Sequence, residues 1–131
     1  MSEPYPGSAE VKGHVLIVED EAVVGIFLRI VLAEAGIHAT VFHSAQPALE
    51  AARAVVFSAA IVDVGLPGMP GDELARQLRV LHPRLPIILA TGYDMNAFAP
   101  MLRDQLVRVL EKPFDEPQLF EQLRALHQTT V

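Results

Sequence analysis

A chain of 131 residues has room for one domain of ordinary size, which excludes a two-domain enzyme. With 51% apolar residues it can line a core without staples, and with no cysteine it has no disulfide, no thiolate metal site and no cysteine nucleophile. Ten Lys and Arg against sixteen Asp and Glu leave a net charge of −6, a poor balance for neutralising phosphates, so no direct nucleic-acid ligand is expected.

Residues 1–12 lack the apolar run of a secretory signal and read as a flexible tail ahead of a domain over 13–127, with a second tail at 128–131. The first strand is read over His14–Val18. Val23, Ile26, Phe27, Ile30 and Val31 then fall at i, i+3, i+4, i+7 and i+8, which predicts a helix stopped by Gly36 as its C′ residue. The apolar stretch 22–33 is broken by Arg29 and falls short of the roughly 18 apolar residues of a membrane span, so no membrane partner and a cytoplasmic location are expected. A second strand over 37–42 leads to Ser44, which can cap a helix running to about Val55. A third strand, Ala59–Asp63, precedes a helix marked by Leu74, Leu78 and Leu81. After a fourth strand over 86–90, Pro100 interrupts the helical stretch 96–106, so that helix is expected to be short or mobile. A fifth strand over 107–110 is followed by Asp115 and Gln118, spaced as a capping box for a last helix marked by Leu119, Leu123 and Leu126.

Strand and helix alternate five times, and the strands are apolar nearly throughout. That pattern predicts a doubly wound α/β domain, (βα)5, whose parallel sheet is covered by helices on both faces. In such sheets the ligand site lies outside the carboxyl ends of the strands. Here those ends carry Glu19, Asp20 and Glu21 after the first strand, Asp63 on the third, Thr91 and Gly92 after the fourth, and Lys112 and Pro113 after the fifth. Taken singly each has a plain structural reading: acids at a helix start, a turn aspartate, a capping threonine, a solvated lysine. Taken together they describe a site that gathers a phosphoryl group. If neighbouring strands bring Asp20 and Asp63 together, their repulsion calls for a proton or a cation, and oxygen ligands of this kind suit Mg²⁺. Lys112 can then pair with Asp63 or with a phosphoryl oxygen, the Thr91 hydroxyl can donate, Gly92 lets backbone approach, and an aspartate can act as nucleophile.

These residues, in the runs Val15-Leu16-Ile17-Val18-Glu19-Asp20-Glu21, Ile61-Val62-Asp63-Val64-Gly65-Leu66-Pro67-Gly68-Met69-Pro70-Gly71, Ala90-Thr91-Gly92 and Leu110-Glu111-Lys112-Pro113-Phe114, resemble the CheY-like receiver domains of bacterial response regulators. The resemblance implies a flavodoxin-like strand order 2-1-3-4-5. It implies a signalling phosphoacceptor rather than an enzyme. Asp63 would take a phosphoryl group from a phosphohistidine on a sensor histidine kinase or histidine phosphotransfer protein. Asp20, Asp63 and the Gly65 carbonyl would hold Mg²⁺, with Glu19 acting through water. Thr91, Gly92, Lys112 and the Val64 backbone would contact the phosphoryl group, and the Lys112-Pro113 peptide would be cis. Phosphorylation would switch the region between the fourth and fifth strands for an unidentified downstream protein.

Two departures stand out. Receivers usually carry an aromatic residue three positions before the lysine, where this chain has Val109, so an aromatic rotamer switch cannot operate there. The run 90–93, Ala-Thr-Gly-Tyr, resembles a single-domain subgroup with a Phe-Ala-Thr-Gly-Tyr motif, although Leu89 stands at its first position. In that subgroup the signal would pass through rearrangement of residues 93–106. The chain would then be a free regulator or phosphate sink, or a receiver segment of a hybrid histidine kinase. An aspartate-nucleophile phosphatase would want a second aspartate where Ala22 stands. A flavodoxin would want a hydroxyl-rich loop in place of Glu19, Asp20 and Glu21. His14, His38, His43, His82 and His127 show no metal-ligand spacing on a common helix face, and Tyr93, Met95, Phe98 and Met101 read as packing or surface residues. Gly65, Gly68 and Gly71 lie among prolines and do not form a nucleotide loop.

Overall fold

A computed structural model describes residues 13–92 and 100–130. Its elements are β1 (His14–Val18), α1 (Ala22–Glu34), β2 (His38–Phe42), α2 (Ala45–Ala54), β3 (Ala59–Asp63), α3 (Gly71–Leu81), β4 (Ile87–Thr91), a 3-10 turn (Met101–Arg103), β5 (Val107–Glu111) and α4 (Glu116–Thr130). The strands pair in the order β2-β1-β3-β4-β5, all parallel. The doubly wound, flavodoxin-like sheet is therefore present, with four α-helices among the described residues. Between β4 and β5 those residues hold only the 3-10 turn that follows Pro100. Of the helix expected over 96–106, residues 96–99 lie outside the described residues, as do Tyr93, Met95 and Phe98, and the described part holds one 3-10 turn, Met101–Arg103.

Burial on both sides explains the continuous apolarity of the strands. On β1, Leu16 and Val18 point into a core shared with Leu49, Leu74 and Leu78 of α2 and α3. Val15 and Ile17, one step out of phase, point into a second core with Leu28 and Leu32 of α1 and Leu119 and Leu123 of α4.

The helix ends obey local chemistry. Gly36, at φ +82°, closes α1: its N–H donates to the Ala33 carbonyl at 3.0 Å and the Ile37 N–H donates to Leu32 at 2.8 Å, a Schellman pair. At the start of α4 the Gln118 N–H donates to Asp115 Oδ1 at 3.0 Å, and the Asp115 N–H donates to Gln118 Oε1 at 2.9 Å, closing the capping box. Ser44 occupies the N-cap position of α2, but its side chain makes no cap hydrogen bond.

The spacing that predicts α1 marks mostly its outer side. The helix buries Gly25, Leu28, Val31 and Leu32, whereas Val23, Ile26, Phe27 and Ile30 stay 79%, 48%, 37% and 51% exposed. Gly25 brings the helix close to β2: a Cβ there would lie 2.9 Å from Val41 Cγ1. An apolar stripe thus faces outward along α1.

Candidate functional site

The carboxyl ends of β1, β3, β4 and β5 open on one side of the sheet, and the strand-end residues singled out in the sequence collect there. Beyond β1 the Glu19 N–H still donates to the Phe42 carbonyl at 2.9 Å. The His43 ring donates through Nδ1 to the Glu19 carbonyl at 3.0 Å, pinning this turn to the end of β2. Glu19 is not a solvated helix-start acid: its side chain is buried, Oε2 accepts the Glu21 N–H at 3.1 Å, and Oε1 faces Lys112 Nζ at 3.1 Å. Asp20 is exposed at the mouth.

Asp63 is buried where β3 ends, opposite Ala90 in the β3–β4 ladder. Its Oδ1 accepts the Gly65 N–H at 3.0 Å and lies 3.2 Å from Lys112 Nζ. The Lys112 N–H donates to the Thr91 carbonyl at 2.8 Å, tying the ends of β5 and β4, and the Lys112-Pro113 peptide is cis. Thr91 is buried at the end of β4, and Gly92 follows it, exposed. The Val64 N–H donates to the Ala90 carbonyl at 3.0 Å as a ladder bond, and the Gly65 N–H is the backbone donor on Asp63 Oδ1.

The loop after β3 is held by Gly71, whose N–H donates to the Val64 carbonyl at 2.9 Å. A Cβ at Gly71 would lie 2.2 Å from the Asp63 carbonyl oxygen and 2.6 Å from Val64 Cα, so no side chain fits there. The helix start is pressed against the backbone that presents Asp63.

In this half-buried pocket the protonation of Glu19, Asp63 and Lys112 is shifted by burial and by their neighbours. Burial pushes the Glu19 carboxyl up to about 6, against the Glu21 N–H and Lys112, while the charge of Asp63 adds to the rise. Burial acts on Asp63 in the same direction, but the Gly65 N–H, a hydrogen bond shared with Asp20, and Lys112 outweigh it and hold that carboxyl below its ordinary value. Burial lowers the Lys112 ammonium, and Glu19 and Asp63 together raise it above its ordinary value. One oxygen each from Glu19, Asp20 and Asp63 lies within 4.8 Å of the others. This donor set is all oxygen, bears more negative charge than Lys112 can offset, and suits a hard divalent cation such as Mg²⁺.

Sequence reasoning placed Glu19, Asp20, Asp63, Gly65, Thr91, Gly92 and Lys112 at this end of the sheet. It missed the Glu19–Lys112 pair, the His43 bond to the Glu19 carbonyl and the close fit of Gly71. None of these has a signal in local spacing, since each partner lies on another strand or across a loop. A groove of about 550 Å³ runs from this site to α1, lined by Glu21, Val23, Val24, Phe27, Lys112, Pro113 and Phe114.

A family model described as the response regulator receiver domain matches residues 15–124. The transcriptional regulatory protein FixJ of Bradyrhizobium diazoefficiens is 32% identical over 109 residues, covering 82% of this chain and 53% of its own length. The response regulator receiver protein CpdR of Brucella abortus is 33% identical over 115 residues, covering 86% of this chain and 94% of its own. Among solved structures, a response regulator receiver protein from Sinorhizobium medicae superposes with a TM-score of 0.81 at 26% identity, covering 90% of this chain and 96% of that one. A CheY-like receiver domain protein from Methanospirillum hungatei shares the fold with a TM-score of 0.81 at 23% identity, over 89% of this chain and 94% of that one.

Proposed function

The chain belongs to the response regulator receiver domains of two-component systems, and from that premise we propose that Asp63 is its phosphoacceptor, charged by the phosphohistidine of a sensor histidine kinase or a histidine phosphotransfer protein. The observation that carries the reading is the placement of Lys112 Nζ 3.2 Å from Asp63 Oδ1, beside three carboxylates whose oxygens converge within 4.8 Å.

Asp63 is held ionised and so carries the lone pair that attacks phosphorus. As the Asp63 O–P bond forms, the donor's N–P bond breaks and its electron pair leaves with the imidazole. Phosphoryl transfer depends chiefly on positioning and on charge neutralisation, and the residues divide those tasks. Lys112, already beside Asp63, meets a phosphoryl oxygen as a point charge, the Thr91 hydroxyl and the Gly92 backbone contact the others, and the Gly65 N–H steadies the acceptor. Asp20, Asp63 and the Gly65 carbonyl would hold Mg²⁺, with Glu19 acting through water. When bound, the ion supplies positive charge against the phosphoryl oxygens.

A donor that reaches Asp63 passes over the rim of the site, where the groove runs into the exposed stripe Val23, Ile26, Phe27 and Ile30. That stripe suits the apolar side of a donor helix. For output we assign residues 93–106 as the segment that rearranges for a downstream protein, because Val109, buried against the α3 side of the sheet, offers no aromatic rotamer to flip.

Intact mass after incubation with acetyl phosphate and Mg²⁺ tests the chemistry. One phosphoryl adduct is expected, absent from Asp63→Asn and from a metal-chelated sample. An adduct that persists in folded Asp63→Asn would refute Asp63 as the acceptor.

A further inference from the structure

The other end of the sheet holds a pair of residues that the phosphoacceptor chemistry leaves unused. His14 opens β1 and His38 opens β2, at directly opposed positions of the parallel ladder. Their ring centroids are 4.3 Å apart with planes tilted by 38°. His14 Nε2 is hydrogen-bonded with Thr40 Oγ1, and Phe57 lies edge-on to the same ring at 4.8 Å. Strands of five residues rising about 3.3 Å each put this pair roughly 13 Å from the acidic site.

We propose that His14 and His38 form a binding site for a borderline divalent transition cation of the Zn²⁺, Ni²⁺ and Cu²⁺ class, separate from the acidic site at the opposite strand ends. Three features support it. First, imidazoles are the commonest side-chain ligands of such ions, and the parallel register of β1 and β2 sets two of them directly opposite each other. Second, the spacing fits. With metal–nitrogen bonds of about 2.0–2.1 Å each ring centroid sits about 3.2 Å from the ion, so two ligands set their centroids about 4.5 Å apart at the right angle of an octahedral or square-planar ion and about 5.2 Å apart at a tetrahedral one. The rings stand at 4.3 Å already. Third, a ligating histidine usually donates its other ring N–H to a fixed acceptor, which orients it and sets its tautomer. The Thr40 hydroxyl offers that acceptor to Nε2–H, leaving Nδ1 of His14 as the ligating atom. Water would complete the coordination. Nitrogen ligands favour this class of ion over Mg²⁺, whose preference for oxygen keeps it at the acidic end. Occupancy would tie edge strand β2 to β1.

The test is titration of the full, untagged chain with Ni²⁺ and with Zn²⁺ in saturating Mg²⁺, read by calorimetry and by the ring signals of its five histidines in NMR spectra. One equivalent should broaden or shift His14 and His38 before His43, His82 and His127. His38→Ala, at an exposed position, should weaken binding by tenfold or more, Thr40→Val should weaken it about tenfold, and His43→Ala should leave it unchanged. Equal responses from all five histidines, or unchanged affinity in folded His38→Ala, would overturn the proposal.

Discussion

Lys112 Nζ lies 3.1 Å from Glu19 Oε1 and 3.2 Å from Asp63 Oδ1, so one ammonium from the end of β5 restrains carboxylates from the ends of β1 and β3. Lys112→Gln removes that restraint and leaves two buried acids facing each other. Phosphoryl uptake from acetyl phosphate should fall at least tenfold, a barrier increase of about 1.4 kcal/mol or more, as read by intact-mass time courses. The Glu19 carboxyl should titrate above its present value of about 6, as read by carboxyl NMR.

Mg²⁺ affinity should depend on pH through Glu19. With its folded value at about 6 and its ordinary value at 4.5, the metal-free folded chain holds a proton in that window that the unfolded chain has shed, and this group's contribution to stability is lost as pH rises through about 6. In the proposed site Glu19 meets the cation through water, so protonating it removes a neighbouring negative charge and affinity should drop several-fold as pH falls below about 6. Asp63, held low, stays ionised across the window and adds no slope there. Mg²⁺ titrations from pH 5 to 8 check this, and Glu19→Gln should flatten the profile.

Gly71→Ala should damage both the fold and the site. Its methyl group would overlap the Asp63 carbonyl, and the backbone must move to admit it. Overpacking of this kind costs about 1–3 kcal/mol, measurable by urea unfolding. Phosphoryl uptake by the folded fraction should also slow, because the displaced backbone is the one that presents Asp63.

If the apolar stripe on α1 receives the donor, as proposed, recognition and chemistry should be separable. Ile26→Glu, at a position 48% exposed, should shift stability by no more than about 0.5 kcal/mol and leave uptake from acetyl phosphate unchanged. Transfer from a phosphorylated histidine phosphotransfer protein should slow several-fold in the same variant.

Much of this molecule was legible in its sequence because parallel sheets impose a simple code. Five apolar runs became five strands, and the polar residues that followed four of them, the first, third, fourth and fifth, gathered at the carboxyl edge. Gly36 and the Asp115–Gln118 pair stopped and started helices because their signals are confined to a few residues. What was not legible depends on contacts between distant residues. Helical spacing in α1 identified the helix but not its buried side, since periodicity cannot say on which side the sheet lies. Taken singly, Glu19 reads as a helix-start acid because nothing nearby in sequence announces Lys112, and the ladder bond of the Val64 N–H depends on the register of β4. His14 and His38 are strand openers brought together only by the pairing of β1 with β2.

The missing side chain at Gly25 sets a limit on how α1 can behave. Seated against Val41, the helix has no slack to roll its apolar stripe under the sheet, and the residues on its inner side already fill that space. The stripe is therefore held facing outward by the packing of the helix itself. On the proposed function a donor would meet the same surface before and after transfer, and discrimination between charged and uncharged receiver would fall to the acidic mouth, where the chemistry itself changes the charge.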